Sequence, residues 1–241
     1  MSTRALSGAP IQLVIFDLMG TLIVDDGSSA RAYIAALTQA GLQPDTPRFA
    51  EALTRIDELR GRPPLVVLID VLGDPVVAEE ATWAFDDSIL TSIKDFKPFP
   101  GADAVLRQLA EQQILIAATT GFTPEVRKAV LAHCRWSETF DEVLSVTGTK
   151  RGHPAPDLLL EAILSLKIDS VAQVAIVGDS APDLEAGSRA GAGLVVGVCT
   201  GGTPRAKLKA APHTHLLDSV AGLIDVLEAP RTKGARRTSD R

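Results

Sequence analysis

A short apolar run that ends in a carboxylate is the feature that most constrains this chain. Residues 11–16, Ile-Gln-Leu-Val-Ile-Phe, are bulky or β-branched, which is typical of a strand buried on both faces. Asp17 follows directly, and Gly20 and Thr21 come just after it. In open α/β sheets ligands bind at the carboxyl ends of the strands. The run therefore places Asp17 at a candidate site, although a strand followed by an ordinary capped turn also fits this motif taken alone.

The chain repeats this arrangement twice. Residues 114–118 lead into Thr120, and residues 173–177 lead into Asp179 and Asp183. Because parallel strands of one sheet end side by side, we expect these polar side chains to converge with the first carboxylate. Clustered carboxylates repel one another unless a cation lies among them, and hard oxygen ligands suit Mg²⁺. The pattern therefore predicts a magnesium site.

Composition excludes several classes of protein. Of the 241 residues 46% are hydrophobic and 22% are charged, so a sizeable core can form. A net charge of −6 argues against nucleic acid as the main partner. Two cysteines are too few for a disulfide framework and are typical of free thiols in the cytoplasm, where we expect the protein. Residues 1–10 resemble neither a signal peptide nor an anchor, so no membrane partner is expected. The chain is expected to be a monomer or homodimer.

The order of predicted elements indicates an α/β fold with an insertion. No strand-like alternation occurs between residues 28 and 96, where the pattern predicts helices at 30–40, with Ser28 or Ser29 as N-cap, and at 47–59, 65–72 and 76–96. Strands and helices then alternate, which indicates a doubly wound parallel sheet. The strands are predicted at residues 11–16, 114–118, 142–146, 173–177, 193–198 and 214–217.

These patterns divide the chain into three parts. We expect an α/β core at residues 1–24 and 97–228 and an all-helical cap at 25–96. A disordered basic tail is predicted at 229–241. Within the cap, Arg60 and Arg62 flank a glycine in a loop that should face the core, and we expect both to contact substrate. An ordinary solvent-facing role is equally open for exposed arginines.

Four motifs together resemble those of the haloacid dehalogenase superfamily, and the resemblance extends over residues 11–226. They are Asp-Leu-Met-Gly-Thr at 17–21, Thr-Gly at 120–121, His-Pro-Ala-Pro-Asp at 153–157 and Gly-Asp-Ser-Ala-Pro-Asp at 178–183. Residues 119–122, 183–201 and 212–220 are similar to the phosphonatase-like branch. The resemblance implies a Rossmann-like doubly wound parallel sheet core with an inserted all-helical cap domain.

The resemblance also implies phosphoryl transfer to an aspartate. Asp17 would be the nucleophile, since a carboxylate is already ionised at neutral pH. Mg²⁺ would be held by Asp17, the backbone carbonyl of Met19 and Asp179, with Asp183 orienting these ligands. Residues next to the transferring phosphoryl group would be Gly20, Thr120 and Gly121, the last two as hydrogen-bond donors.

Two residues depart from the superfamily pattern. Met19 stands where phosphatases have an aspartate that acts as general acid and base, and a thioether cannot transfer a proton. General acid–base catalysis contributes about 10²–10⁴ in rate, so a leaving group that needs little protonation, or slow catalysis, is expected. His153 stands where a lysine or arginine is usual, and Lys150 or Arg151 just upstream are alternatives for that basic role.

We expect a hydrolase acting on a small phosphorylated metabolite. A phosphonatase-like C–P hydrolase is an alternative, but those enzymes use a cap lysine and residues 22–93 contain none. A non-catalytic phospho-ligand-binding homologue is another alternative, because Met19 replaces the acid. Haloacid dehalogenation is least compatible, since it needs no metal whereas this chain keeps Asp179 and Asp183.

Overall fold

The computed structural model describes residues 10–147 and 150–229, and there six parallel strands form one sheet. Their order is β3-β2-β1-β4-β5-β6, so the connections run outward from β1 in both directions. The strands are β1 Leu13–Asp17, β2 Leu115–Thr120, β3 Glu142–Ser145, β4 Val174–Gly178, β5 Leu194–Val198 and β6 His215–Leu217. The predicted doubly wound sheet is confirmed. Residues 1–9, which were predicted to resemble neither a signal peptide nor an anchor, lie outside the described residues. The predicted basic tail lies outside them from residue 230 onward.

Alternation along β1 explains why helices cover both faces of the sheet. Val14 and Phe16 point to one face and pack in the larger core cluster, which extends into the cap helices. Leu13 and Ile15 point to the other face and pack against a second cluster. All four are fully buried, as expected for the central strand of a parallel sheet.

The helices outside the insertion follow the strands. They are α5 Ala102–Glu111, α6 Pro124–His133, α7 Asp157–Ser165, α8 Ala181–Ala190, α9 Arg205–Ala210 and α10 Leu223–Glu228. Sequence patterns did not predict α9 and α10, which are only six residues each. Such short helices contain less than two turns of periodicity, so no hydrophobic repeat can identify them.

The inserted all-helical cap is also confirmed, as four helices between β1 and α5. They are α1 Ser28–Gln39, α2 Pro47–Glu58, α3 Pro64–Leu72 and α4 Pro75–Ser92, followed by a 3₁₀ turn at Ile93–Asp95. Two predicted details were wrong. The N-cap of α1 is Gly27, whose left-handed conformation (φ 91°) lets Asp25 accept the N–H groups of Gly27 and Ser29. The helix predicted at 76–96 ends at Ser92, ahead of the extended Phe96.

None of the helices within residues 10–147 and 150–229 has the length and apolar character that crossing a bilayer requires. The domain boundaries at residues 24 and 97 stay a prediction.

Candidate active site

Three carboxylates meet where the two directions of the sheet diverge. Asp17 is the last residue of β1, and Asp179 follows immediately after the neighbouring strand β4. Asp183 lies in the first turn of α8. One carboxylate oxygen from each lies within 4.8 Å of the others. The point of divergence is where open α/β sheets bind ligands, so the sequence expectation of convergence matches the geometry.

Burial and mutual repulsion make this cluster electrostatically unfavourable without a cation. Asp17 opens partly to the cavity but is surrounded by protein, and this burial raises its pKa well above the ordinary aspartate value, with Asp183 and Asp179 adding to the rise. Burial likewise raises the pKa of Asp179, and the charge of Asp183 raises it further. Both carboxylates are therefore disfavoured in their ionised form by the protein alone.

Asp179 occupies a cradle that only glycine can form. A Cβ added at Gly20 would lie 2.6 Å from its carboxylate, and one added at Gly201 would overlap it. Gly20 also has φ 86°, a conformation that favours glycine. The Thr21 hydroxyl donates to Asp179 Oδ1 at 3.3 Å, and the Thr200 hydroxyl donates to the Gly20 carbonyl at 2.8 Å. The loops after β1 and β5 thus fix the carboxylate from two sides.

Asp183 is fixed from within its own helix. Its Oδ2 accepts the backbone N–H of Ser180 at 2.9 Å and the Ser180 hydroxyl at 2.7 Å, while the same hydroxyl accepts the Asp183 N–H. This reciprocal capping box stabilises the start of α8. It leaves Oδ1 of Asp183 for a partner outside the helix.

The donor set fits Mg²⁺. Three buried carboxylate oxygens in one small volume suit a hard divalent cation, and the cation would neutralise the repulsion that raises their pKa values. The cradle around Asp179 fixes a ligand in advance, which lowers the cost of ordering it. The chemistry of these carboxylates therefore allows the acidic triad to hold a divalent cation.

His153 completes this cluster from the loop before α7. Its Nδ1 lies 2.7 Å from Asp183 Oδ1, and the side chain is 9% exposed. Nε2 is buried without a hydrogen-bond partner among the described residues. Lys150 and Arg151 are directed elsewhere, toward Glu161 and Asp157 respectively, and neither contributes to the cavity wall. Of the three alternatives for the basic role, His153 alone lies at the site.

The predicted phosphoryl contacts lie at the end of β2. Asp17 and Thr119 are paired in the sheet, and Thr120 is the next residue along. The Thr120 hydroxyl oxygen accepts the backbone N–H of Phe122 at 3.2 Å, so its own hydrogen remains for a ligand. Thr120 and Gly121 both line the cavity beside the triad, as do Met19 and Gly20.

The loop that connects α2 and α3 reaches into this site from the cap. Gly61 (φ 85°) packs on Ser180 so closely that a Cβ would collide with the Ser180 side chain. Pro63 packs on Gly121 and Gly152 of the core. The cap is therefore seated on the core through glycine contacts, which admit close approach.

The two predicted cap arginines both border the cavity. The Arg60 guanidinium donates to Asp57 at 2.7 Å and rests against Gly202 of the core. It is close enough to Asp179 to lower that carboxyl's pKa somewhat, against the larger effect of burial. Arg62 is exposed and forms no ion pair among the described residues.

Several site residues were missed from the sequence. Thr200 and Gly201 follow β5, and the general rule that strand ends converge would have included them. Tyr33 packs against the hydrophobic core of the cap and also lines the cavity. Gly61 gave no periodic or spacing signal, because its contact with Ser180 forms only when the cap folds against the core.

The chain is similar to known hydrolases throughout. A family model described as haloacid dehalogenase-like hydrolase matches residues 11–191. Phosphonoacetaldehyde hydrolase of Bordetella pertussis is 27% identical over 97% of this chain and 98% of that protein. The bifunctional riboflavin kinase/FMN phosphatase of Arabidopsis thaliana is 27% identical over 76% of this chain but 47% of its own length. The chain spans about half the length of the Arabidopsis protein and of the phosphonoacetaldehyde hydrolase of Parabacteroides distasonis, to which it is 32% identical over 51% of its own length.

Solved structures share the fold. A predicted phosphatase from Clostridium acetobutylicum has a TM-score of 0.78 at 21% identity, over 92% of this chain and 100% of that one. A hydrolase from Pseudomonas syringae has a TM-score of 0.78 at 20% identity, over 90% and 97% of the two chains.

Proposed function

The chain belongs to the haloacid dehalogenase-like hydrolases, and on that premise we propose that it is a Mg²⁺-dependent phosphohydrolase for a small phosphorylated metabolite. The observation that carries the proposal is the burial of three carboxylates, one from each of Asp17, Asp179 and Asp183, within 4.8 Å of one another. The proposed nucleophile and the proposed cation site then coincide beside the cavity at one edge of the sheet.

Asp17 is the proposed nucleophile. A carboxylate oxygen attacks phosphorus, the bond from phosphorus to the leaving oxygen breaks, and an aspartyl-phosphate forms. Water then attacks phosphorus, inorganic phosphate departs and the carboxylate is regenerated. Splitting one displacement into two steps lowers the barrier of each.

The residues around the nucleophile hold the phosphoryl group. Thr120 and the N–H of Gly121 donate to its oxygens, where charge develops in the transition state, and His153 Nε2 donates from the other side when the ring is protonated. Asp17, Asp179 and the Met19 carbonyl would hold Mg²⁺, with Asp183 behind them. The bound ion would offset repulsion between the anionic nucleophile and the anionic substrate.

The phosphonoacetaldehyde hydrolase relatives raise a second possibility, C–P cleavage. The route through a cap lysine does not fit this chain, because residues 22–93 contain no lysine and Lys94, near the end of the cap, is exposed and does not line the cavity. Phosphate ester hydrolysis therefore accounts for the site better than Schiff-base chemistry does. Oligomeric state and cytoplasmic location stay predictions.

The test is hydrolysis of p-nitrophenyl phosphate by the purified protein with Mg²⁺. We expect turnover that is abolished by EDTA, restored by added Mg²⁺ and absent in Asp17→Asn. Activity that survives either the chelator or the substitution would contradict the proposal. A folded wild-type protein that binds phosphate without any turnover would instead support a non-catalytic homologue.

A further inference from the structure

The cavity above Asp17 extends into the cap, and its far wall is largely apolar. Its volume is about 600 Å³, within the range of about 300–1,000 Å³ that small-molecule sites have. The phosphoryl end is polar, whereas helices α1, α2 and α4 of the cap contribute Tyr33, Ile34, Leu53, Ile56 and Phe85. Asp57, Arg60 and Arg62 border the same space from the end of α2 and the loop after it. A phosphoryl group at the triad would leave most of this space for the rest of the substrate.

Two aromatic rings form part of that wall. Tyr33 of α1 and Phe85 of α4 meet edge to face, with centroids 4.8 Å apart and planes at 61°. Phe85 is 2% exposed and packs against the half-buried Tyr33 ring, so the Tyr33 ring is the aromatic surface that a further ring can contact.

Three ionisable side chains that the cap contributes to the cavity wall, those of Asp57, Tyr33 and Asp25, are poorly suited to protonate a leaving group. His153, on the core side, is directed to Asp183 and, in the function proposed above, to the phosphoryl oxygens. The arginine at position 60 holds the pKa of Asp57 below its usual range. Burial raises the pKa of the Tyr33 phenol, which weakens it as an acid. Asp25 is committed to the start of α1 through the N–H groups of Gly27 and Ser29. The position two residues after the nucleophile, Met19, has no proton to give.

Both observations constrain the leaving group. It must depart without a proton from the enzyme, and it must present an apolar body to the cap. Phenols have a pKa near about 10, as tyrosine does, so a phenolate leaves far more readily than an alkoxide. We propose that the substrate is an aryl phosphate, a phosphomonoester of a phenolic hydroxyl on an apolar ring body; this rests on the phosphohydrolase function proposed above.

The step balances without an enzymic acid. An Asp17 oxygen bonds to phosphorus, the bond between phosphorus and the aryl oxygen breaks, and its electron pair leaves on the phenolate. The phenolate then takes a proton from solvent. Water attack on the aspartyl-phosphate completes the cycle and releases inorganic phosphate.

The test compares phosphate esters that differ either in the basicity of the leaving group or in the presence of an apolar ring. Phenyl phosphate and benzyl phosphate share the ring but differ in leaving-group basicity, whereas glycerol phosphate lacks the ring. We expect kcat/KM, which reports the first step, to be at least about 100-fold higher for phenyl phosphate than for benzyl phosphate, since acid catalysis is worth about 10²–10⁴. In Met19→Asp this ratio should fall toward unity.

Binding of phosphonates, which needs no turnover, tests whether the cavity prefers an apolar ring. By calorimetry with Mg²⁺, benzylphosphonate should bind at least about tenfold more tightly than methylphosphonate, because the ring buries apolar surface. Ile34, a partly exposed wall residue, offers a mild variant. Ile34→Gln should weaken benzylphosphonate about three- to tenfold and leave methylphosphonate unchanged.

The outcomes distinguish the two proposals. Absence of hydrolysis of every ester by folded protein overturns the phosphohydrolase function itself. If kcat/KM for glycerol phosphate or benzyl phosphate equals that for phenyl phosphate, the aryl phosphate inference alone is overturned. Equal affinity for the two phosphonates also overturns it, whatever the turnover.

Discussion

Nδ1 of His153 lies 2.7 Å from Oδ1 of Asp183, so the loop before α7 is joined to the first turn of α8 at the carboxylate cluster. Asp183 thereby uses one oxygen for its own helix and the other for the imidazole. The contact leaves Nε2 of His153 buried beside the cavity without a partner in the described chain. This ring nitrogen is placed to meet an anionic ligand.

The first prediction concerns that nitrogen. His153→Gln removes the group that can carry positive charge, and we expect kcat/KM for p-nitrophenyl phosphate to fall about 10²-fold, as for loss of one transition-state donor. His153→Lys keeps a cation and should retain more activity than His153→Gln. Lys150→Gln is the control, because Lys150 pairs with Glu161 outside the cavity wall. Equal losses in the glutamine and lysine variants of His153 would contradict a charge-based role.

The second prediction concerns pH and metal. Burial raises the pKa values of Asp17 and Asp179, so the folded protein holds protons that the unfolded chain releases. Their contribution to stability is therefore complete below the ordinary aspartate pKa near about 4 and is lost as pH rises above it. Without metal, Tm of wild type should fall between pH 5 and 8 more steeply than Tm of Asp179→Asn.

Added Mg²⁺ should counter this loss. At pH 8 the ion binds the ionised cluster and should raise Tm of wild type, with a smaller rise at pH 5, where protons compete for the same oxygens. Asp179→Asn should show little response at either pH. Thermal melts with EDTA or with Mg²⁺ measure both effects, and a Tm that is equally sensitive to Mg²⁺ in the variant would place the ion elsewhere.

The third prediction concerns the seating of the cap. Gly61→Ala puts a Cβ into the Ser180 side chain, so the cap loop must move away from the core. We expect kcat/KM to fall at least about tenfold, because closure over the site completes its geometry. Gly41→Ala is a matched control: both glycines have φ 85°, but a Cβ at Gly41 meets nothing within 4 Å.

Both glycine variants carry the same left-handed penalty of about 1–2 kcal/mol, and Gly61→Ala adds the collision with Ser180, so its Tm should fall at least as far as that of Gly41→Ala. At a temperature where both variants are folded, only Gly61→Ala should show a lower kcat/KM than wild type. If Gly41→Ala loses as much activity, the effect is general destabilisation and the cap contact is not needed for turnover.

The sequence predicted the sheet and the triad because both depend on local patterns. Buried parallel strands are continuous apolar runs that can be recognised in the sequence. Once a run is recognised, the residues at its carboxyl end, such as Asp17 and Asp179, are placed at the edge of the sheet where ligands bind. The contacts that the sequence missed join distant segments without periodicity. Gly61 against Ser180 and Gly201 around Asp179 follow from how the cap and the β5 loop pack, and spacing along the chain contains no such information.

The last prediction concerns the rate of the second step. An aryl leaving group removes the need for an acid in the first step, but water attack on the aspartyl-phosphate still lacks a base at position 19. We therefore expect the phosphorylated enzyme to accumulate. Stopped-flow mixing with p-nitrophenyl phosphate should show a burst of nitrophenolate close to one equivalent per chain, followed by slower steady turnover.

Met19→Asp supplies the missing base and should abolish the burst while it raises steady-state kcat about 10²-fold. Met19→Leu is the matched control, since it keeps an apolar side chain of similar size that cannot transfer a proton, and it should keep the burst. A wild-type reaction without a burst, at a rate that Met19→Asp does not raise, would mean that another group activates the water. His153, already at the cluster, would then be the residue to replace in the Met19→Asp background.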